Sequence, residues 1–170
     1  MSTALEFLRG TVAPELPHPG GTLLAHLVRV HDWLEELGEP EHVCQAGLTH
    51  AVYGTDGFDV TLLELGERSV LAGMIGADAE KLVYRYGACD RSRTWRDLAS
   101  TGVVWDRFTG TSERLAGAEL TEFADLTAIN ELDVLAHSAE IEREHGAALR
   151  ALFVRWQPIL SPAVARVAGQ

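Results

Sequence analysis

The sequence predicts an all-α fold, a single-domain helical bundle with one small β-hairpin near residues 103–115. Three observations carry this. Apolar residues recur at three- and four-residue spacing along most of the chain, no series of alternating strands is present, and Pro and Gly fall between the periodic stretches.

The elements follow in order. Ser2 to Arg9 is short and amphipathic. Pro14, Pro17, Pro19, Gly20 and Gly21 then make residues 10–21 a loop, because proline lacks an amide donor and glycine costs backbone entropy. Thr22 is placed to cap a helix in which Leu23, Leu27, Val30, Leu34 and Leu37 share one face, ended by Gly38 and Pro40. A second helix, from about Glu41 to Val52, puts Val43, Ala46, Gly47 and His50 on one side, where small residues admit a neighbouring helix. Gly54 to Asp59 reads as a loop. Leu62 to Ile75 and Ala77 to Tyr86 read as two helices broken near Gly76, and Thr94 to Ser100 adds a helical turn or two. Val103 to Phe108 and Thr111 to Leu115, joined through Thr109-Gly110, form the expected hairpin. Glu119 to about Ala136 and Ala139 to Trp156 are helical in pattern, and Pro158 and Pro162 bracket a weaker last segment. The expected domain is 1–170, with its core in 22–156.

Composition narrows the function classes. A net charge of −11, from 25 acidic and 14 basic residues, repels phosphate backbones and anionic lipid, so neither nucleic acid nor membrane is an expected partner. The densest basic cluster, Arg85, Arg91, Arg93, Arg96 and Arg107, could face a small anionic ligand, but it is interleaved with Asp90, Asp97 and Asp106 and reads rather as a solvated, self-paired surface. Two cysteines, Cys44 and Cys89, give neither a disulfide framework nor a Cys-rich zinc site, which fits a reducing cytoplasm. No stretch reaches the roughly 18 apolar residues of a membrane span, and the start lacks the apolar run of an export signal. Trp33, Trp95, Trp105 and Trp156 leave room for a homodimer interface.

Candidate chemistry concentrates on two adjacent helices. His26 lies close to the apolar stripe of the first, His50 ends the second, and both imidazoles are expected to point inward. Two such histidines could give two neutral nitrogen ligands to a divalent metal; the plainer reading is a pair of core histidines hydrogen-bonded to carbonyls or carboxylates. Tyr53, Thr55 and Asp56 follow in a turn with Gly54 and Gly57, a phenol, a hydroxyl and a carboxylate suited either to proton transfer or to local capping. In the later long helix Thr127, Asn130 and Glu131 interrupt an apolar face, so they need partners if buried. His18, His31, His42 and His145 read as loop or surface residues, with His31 the first candidate for an exception because it shares the first helix.

Taken together, these segments resemble the HD superfamily, and within it the hydrolase domain of RelA/SpoT-type alarmone enzymes. His26-Leu27-Val28-Arg29-Val30 stands where that family has His-Pro-x-x-Val. Ala46-Gly47-Leu48-Thr49-His50-Ala51-Val52-Tyr53-Gly54-Thr55-Asp56 is similar to its Ala-x-Leu-Leu-His-Asp-x-x-Glu-Asp-Thr, and Phe123-Ala124-Asp125 with Asn130 to its later Leu-Ala-Asp-Arg-Leu-x-Asn. The chain also resembles a bacterial family of unknown function with a recurrent Ala-Gly-Leu-x-His-x-x-Tyr-Gly-Thr stretch. The HD resemblance implies metal ligands at His26, His50 and Asp125. It also marks two departures: Ala51 replaces the His-Asp aspartate, and the water-activating Glu-Asp pair falls on Gly54 and Thr55.

The expected function is a small-molecule enzyme with its pocket between the helices carrying His26, His50 and Asp125, working by metal-assisted hydrolysis or oxygenation with Fe, Mn or Zn. His50, Tyr53, Thr55 and Asp56 form the expected catalytic group, and Arg68, Tyr84, Arg85, Asn130 and Glu131 the substrate-binding one. Two alternatives stand beside it. One is a degenerate, metal-free HD fold acting as a ligand-binding or regulatory module, which Ala51 favours. The other is a metal-free isomerase or cyclase using His50 and Tyr53 as acid and base.

Overall fold

A computed structural model describes residues 3–170, which are mostly helical with two small antiparallel strand pairs. The chain forms two compact units, the first ending at Gly87 and the second spanning Ala88–Gln170. Among the described residues no helix is long and apolar enough to cross a membrane.

The first unit begins with helix α1 (Thr3–Arg9), whose Ala4 and Leu8 are buried; Ser2 lies outside the described residues. The segment expected as plain loop contains a two-residue ladder, β1 (Pro17–His18) with β2 (Gly21–Thr22), in the register Pro17↔Thr22 and His18↔Gly21. Pro19 and Gly20 turn it. Proline suits the first central position of a type II turn and glycine the second, and Gly20 has the positive φ, 80°, that the second requires. Arg29 clamps this turn onto the next helix, donating from Nη2 to the Pro19 carbonyl at 2.9 Å and from Nη1 to that of Gly20 at 3.3 Å.

Helix α2 (Leu23–Glu36) starts as the sequence predicts. The Thr22 hydroxyl accepts from the Ala25 amide at 3.2 Å, and Leu23, Leu27, Val30 and Leu34 are buried. Helix α3 (Glu41–Thr49) packs closely against α2 because Gly47 has no side chain: a Cβ there would lie 2.5 Å from Leu34 Cδ1 and 3.6 Å from His31 Cα. The expected start of the next helix at Leu62 is corrected. The amides of Leu62 and Leu63 both bond the Val52 carbonyl, at 2.8 and 3.1 Å, so this stretch is a return leg rather than a helix. Glu64 then caps a 3₁₀ turn, Leu65–Glu67, which leads into α4 (Arg68–Ile75), and Gly76 separates α4 from α5 (Ala77–Ala88).

In the second unit, Asp90 caps α6 (Arg91–Thr94) through the Arg93 amide at 3.0 Å, and a 3₁₀ turn leads to α7 (Leu98–Thr101). The predicted hairpin is present as β3 (Val103–Trp105) paired with β4 (Ser112–Arg114), closed by Asp106, whose Oδ1 accepts from the Phe108 and Thr109 amides. Helices α8 (Gly117–His137) and α9 (Ala139–Trp156) pack together, with Ser138 capping α9, and α10 (Pro162–Ala168) packs on both. Phe123, Leu126, Ile129, Phe153 and Trp156 fill this core. Trp156 is fully buried and donates Nε1–H to the Trp95 carbonyl, so it is core rather than interface surface.

Candidate functional site

His50 sits at the C-terminal end of α3, where its Nδ1 lies 2.8 Å from the Gly47 carbonyl. A carbonyl only accepts, so the ring hydrogen is on Nδ1 and the lone pair of neutral His50 is on Nε2. That atom faces Nε2 of His26 at 3.4 Å, with the two rings edge to face and their centroids 5.2 Å apart. The two imidazoles are only 1% and 2% exposed. The adjacency predicted from helix spacing is therefore present.

Other rings extend the pair into a column. His18, carried by β1, stacks on His26 with centroids 4.2 Å apart and planes at 28°. Phe58 meets His18 edge-on at 5.6 Å, and Tyr86 of α5 meets His50 edge-on at 5.2 Å. His18 is thus part of the site and not the loop-surface residue expected. The sequence signal was the Pro19-Gly20 turn, which folds β1 back beside the start of α2. Tyr86 follows Leu82 and Val83 at helical spacing and shares their buried side.

Tyr53 and Thr55, expected in the catalytic group, have their own partners in the structure. The Tyr53 hydroxyl donates to Glu80 Oε1 at 2.8 Å, and Arg68 grips the same carboxylate from Nε at 2.6 Å and Nη2 at 2.8 Å. Burial, then the hydrogen bond to Glu80, raises the Tyr53 pKa, so the phenol is a held donor rather than a ready proton carrier. Arg68 also lies over the Tyr84 ring, 3.9 Å from its centroid. Its hydrogen bonds to Glu80 keep it firmly charged, and its role is to anchor Glu80. Thr55 bridges Phe58 through main-chain bonds of 2.9 Å in both directions, with half-buried Asp56 at the tip of that turn. Arg85 is buried. Glu80 was not anticipated, since its partners come from 12 and 27 residues away.

The remaining candidates belong to the second unit. Asp125 is fully buried, and both its oxygens accept from the Ser161 amide at the start of α10, at 3.1 and 3.3 Å. Asn130 donates to Glu131 Oε1 at 2.9 Å, and Arg91 Nη1 lies 3.0 Å from that oxygen. Glu131 is buried, and its partners are Arg91 and Asn130. Thr127 returns its hydroxyl to the Phe123 carbonyl.

Among the described residues, His31, Asp32 and Glu35 form a group of three with metal-binding atoms within 4.8 Å of one another. It stands on the solvent side of α2, and its acidic members are exposed. His26 and His50 are not in that group.

Residues 7–91, half of the chain, match the model of a family described as Domain of unknown function (DUF6817). No curated protein and no solved structure matches the chain. The matched stretch contains the whole histidine column, Tyr53, Arg68 and Glu80.

Proposed function

The chain belongs to this family, and we propose that it is a small-molecule enzyme centred on the His26–His50 pair, working by metal-assisted hydrolysis or oxygenation. The observation that carries this reading is the 3.4 Å between the two Nε2 atoms. Two imidazole nitrogens about 2.0–2.1 Å from one tetrahedral cation stand roughly 3.3–3.4 Å apart. The pair therefore fits as two neighbouring ligands, and the Gly47 carbonyl on His50 Nδ1 is the kind of partner that orients a metal-binding histidine.

Bound there, iron, manganese or zinc supplies Lewis acidity for hydrolysis or, as iron, redox chemistry. The chain's own part is positional. Gly47 keeps the proton on Nδ1 and so holds the Nε2 lone pair ready, while His18, Phe58 and Tyr86 keep water away from the imidazole faces. His26 and His50 would be the two residues holding such a cation. The buried thiols Cys44 and Cys89 suit a cytoplasmic location.

One observation favours a second reading. Ala51, 2% exposed, offers no ligand atom where an HD protein has its aspartate. On that reading the pair is a metal-free, hydrogen-bonded anchor in a ligand-binding module. Titrating metal-stripped protein with cobalt(II) separates the two. The enzyme reading expects visible ligand-field bands saturating near one equivalent and absent from His26→Gln and His50→Gln. A wild type without such bands supports the binding module.

A further inference from the structure

The second unit contains a cavity of about 450 Å³ built from α6, the turn after it, α8 and α9. That volume is within the roughly 300–1,000 Å³ of small-molecule sites. Trp95, Leu149 and Leu152 give it apolar walls, and Arg91, Arg96 and Arg155 bring three guanidiniums to it. We propose that this cavity binds a small organic monoanion, a carboxylate carried on an apolar or aromatic body.

The three arginines are not equivalent. Arg91 is committed to Glu131 at 3.0 Å and lies over the Trp95 ring, 4.7 Å from its centroid. Arg96 and Arg155 are exposed and pair with no carboxylate among the described residues. Arg68, Arg91 and Arg150, by contrast, each have an acidic partner. Two guanidiniums without a carboxylate partner thus stand beside one apolar cavity.

The chemistry of the lining selects the ligand. A planar guanidinium fork matches a carboxylate through two parallel hydrogen bonds. Glu131 also lines the cavity and is taken up by Arg91, which leaves the guanidinium forks of Arg96 and Arg155 for one carboxylate, and the Trp95 and leucine walls for its apolar body. Trp95 is fixed in place: Trp156 donates Nε1–H to its carbonyl at 3.1 Å, and the two rings meet edge to face at 6.2 Å. A rigid aromatic wall beside charged donors favours a flat apolar body.

The test is isothermal titration calorimetry of the full chain with 3-phenylpropanoate, its neutral amide and acetate. The proposal expects saturable 1:1 binding of 3-phenylpropanoate, with the amide and acetate each at least about tenfold weaker. The pair Arg96→Ala and Arg155→Ala together should weaken 3-phenylpropanoate at least about tenfold without changing the thermal midpoint. Arg93→Ala should change nothing, because Arg93 is stacked on Trp105, 3.6 Å from its centroid. Absence of saturable binding up to ~10 mM, equal binding of the amide, or an unaffected double variant overturns the proposal.

Discussion

Gly87 lies so close to Gly54 that a Cβ at position 87 would stand 2.8 Å from the Gly54 carbonyl oxygen and 3.5 Å from Tyr53 Cβ. The turn that follows His50 is thereby seated on α5, one residue beyond the Tyr86 ring that meets His50. Gly54 itself has φ 74°, which an L side chain rarely adopts. Gly87→Ala must push backbone against backbone and should cost about 1–3 kcal/mol, read from urea unfolding. An unchanged midpoint would mean that the turn moves freely and does not hold the site.

The Tyr53–Glu80–Arg68 cluster should be cooperative. Tyr53→Phe removes one hydrogen bond and should cost about 1 kcal/mol. Glu80→Gln also weakens the ion pair to Arg68, whose side chain is 40% exposed, so a total of roughly 1–3 kcal/mol is expected after allowing for solvent screening. A double-mutant cycle between Tyr53→Phe and Glu80→Gln should give a coupling of at least about 0.5 kcal/mol. Strict additivity would contradict the shared-carboxylate arrangement.

Cys44 makes stability fall in alkali. Burial, then the nearby Glu41, Glu35 and Glu39 carboxylates, push its thiol from 9.0 up to about 11 in the folded chain. Below pH 9.0 both states keep the proton and the contribution is complete; between 9.0 and about 11 the unfolded chain releases a proton that the folded chain retains, so stability is lost as pH rises. The effect is on the order of 2 kcal/mol. Cys44→Ala should flatten the decline of unfolding free energy over that window, whatever its effect at pH 7. An identical slope in the variant would remove the thiol from the account.

Asp125 separates the resemblance from the local structure. Its carboxylate holds the Ser161 amide where α10 begins, so Asp125→Ala should destabilise by roughly 1–3 kcal/mol. Metal content should stay as in the wild type. Metal lost together with little change in stability would instead make Asp125 a ligand, as the HD resemblance implies.

What the sequence discloses about this fold is mostly what local physics decides. Thr22 and the leucine spacing that follows it specify α2, and Gly47 and Ala46 mark the face of α3 that approaches it, so the meeting of His26 and His50 is readable in advance. The start of α4 is not, because Leu62 and Leu63 fit a helical pattern and only a bond to the distant Val52 carbonyl draws them out of it. His18 arrives through a two-residue ladder too short for any periodicity, signalled only by Pro19-Gly20. Glu80 carries no local sign of its partners, and for Glu131 the polar break in the apolar face shows that partners are needed but not that Arg91 is one of them. Arg68, Tyr53 and Arg91 are brought to them from elsewhere in the chain, while Asn130 is the immediate neighbour of Glu131.

The most direct measurement is metal analysis by mass spectrometry of protein produced without a histidine tag, for the wild type and His50→Ala. The His26–His50 centre predicts about one equivalent of a transition metal in the wild type, after reconstitution if needed, and its loss in His50→Ala with the fold intact by circular dichroism. Wild-type metal below about a tenth of an equivalent after reconstitution, or metal retained in full by His50→Ala, would contradict it.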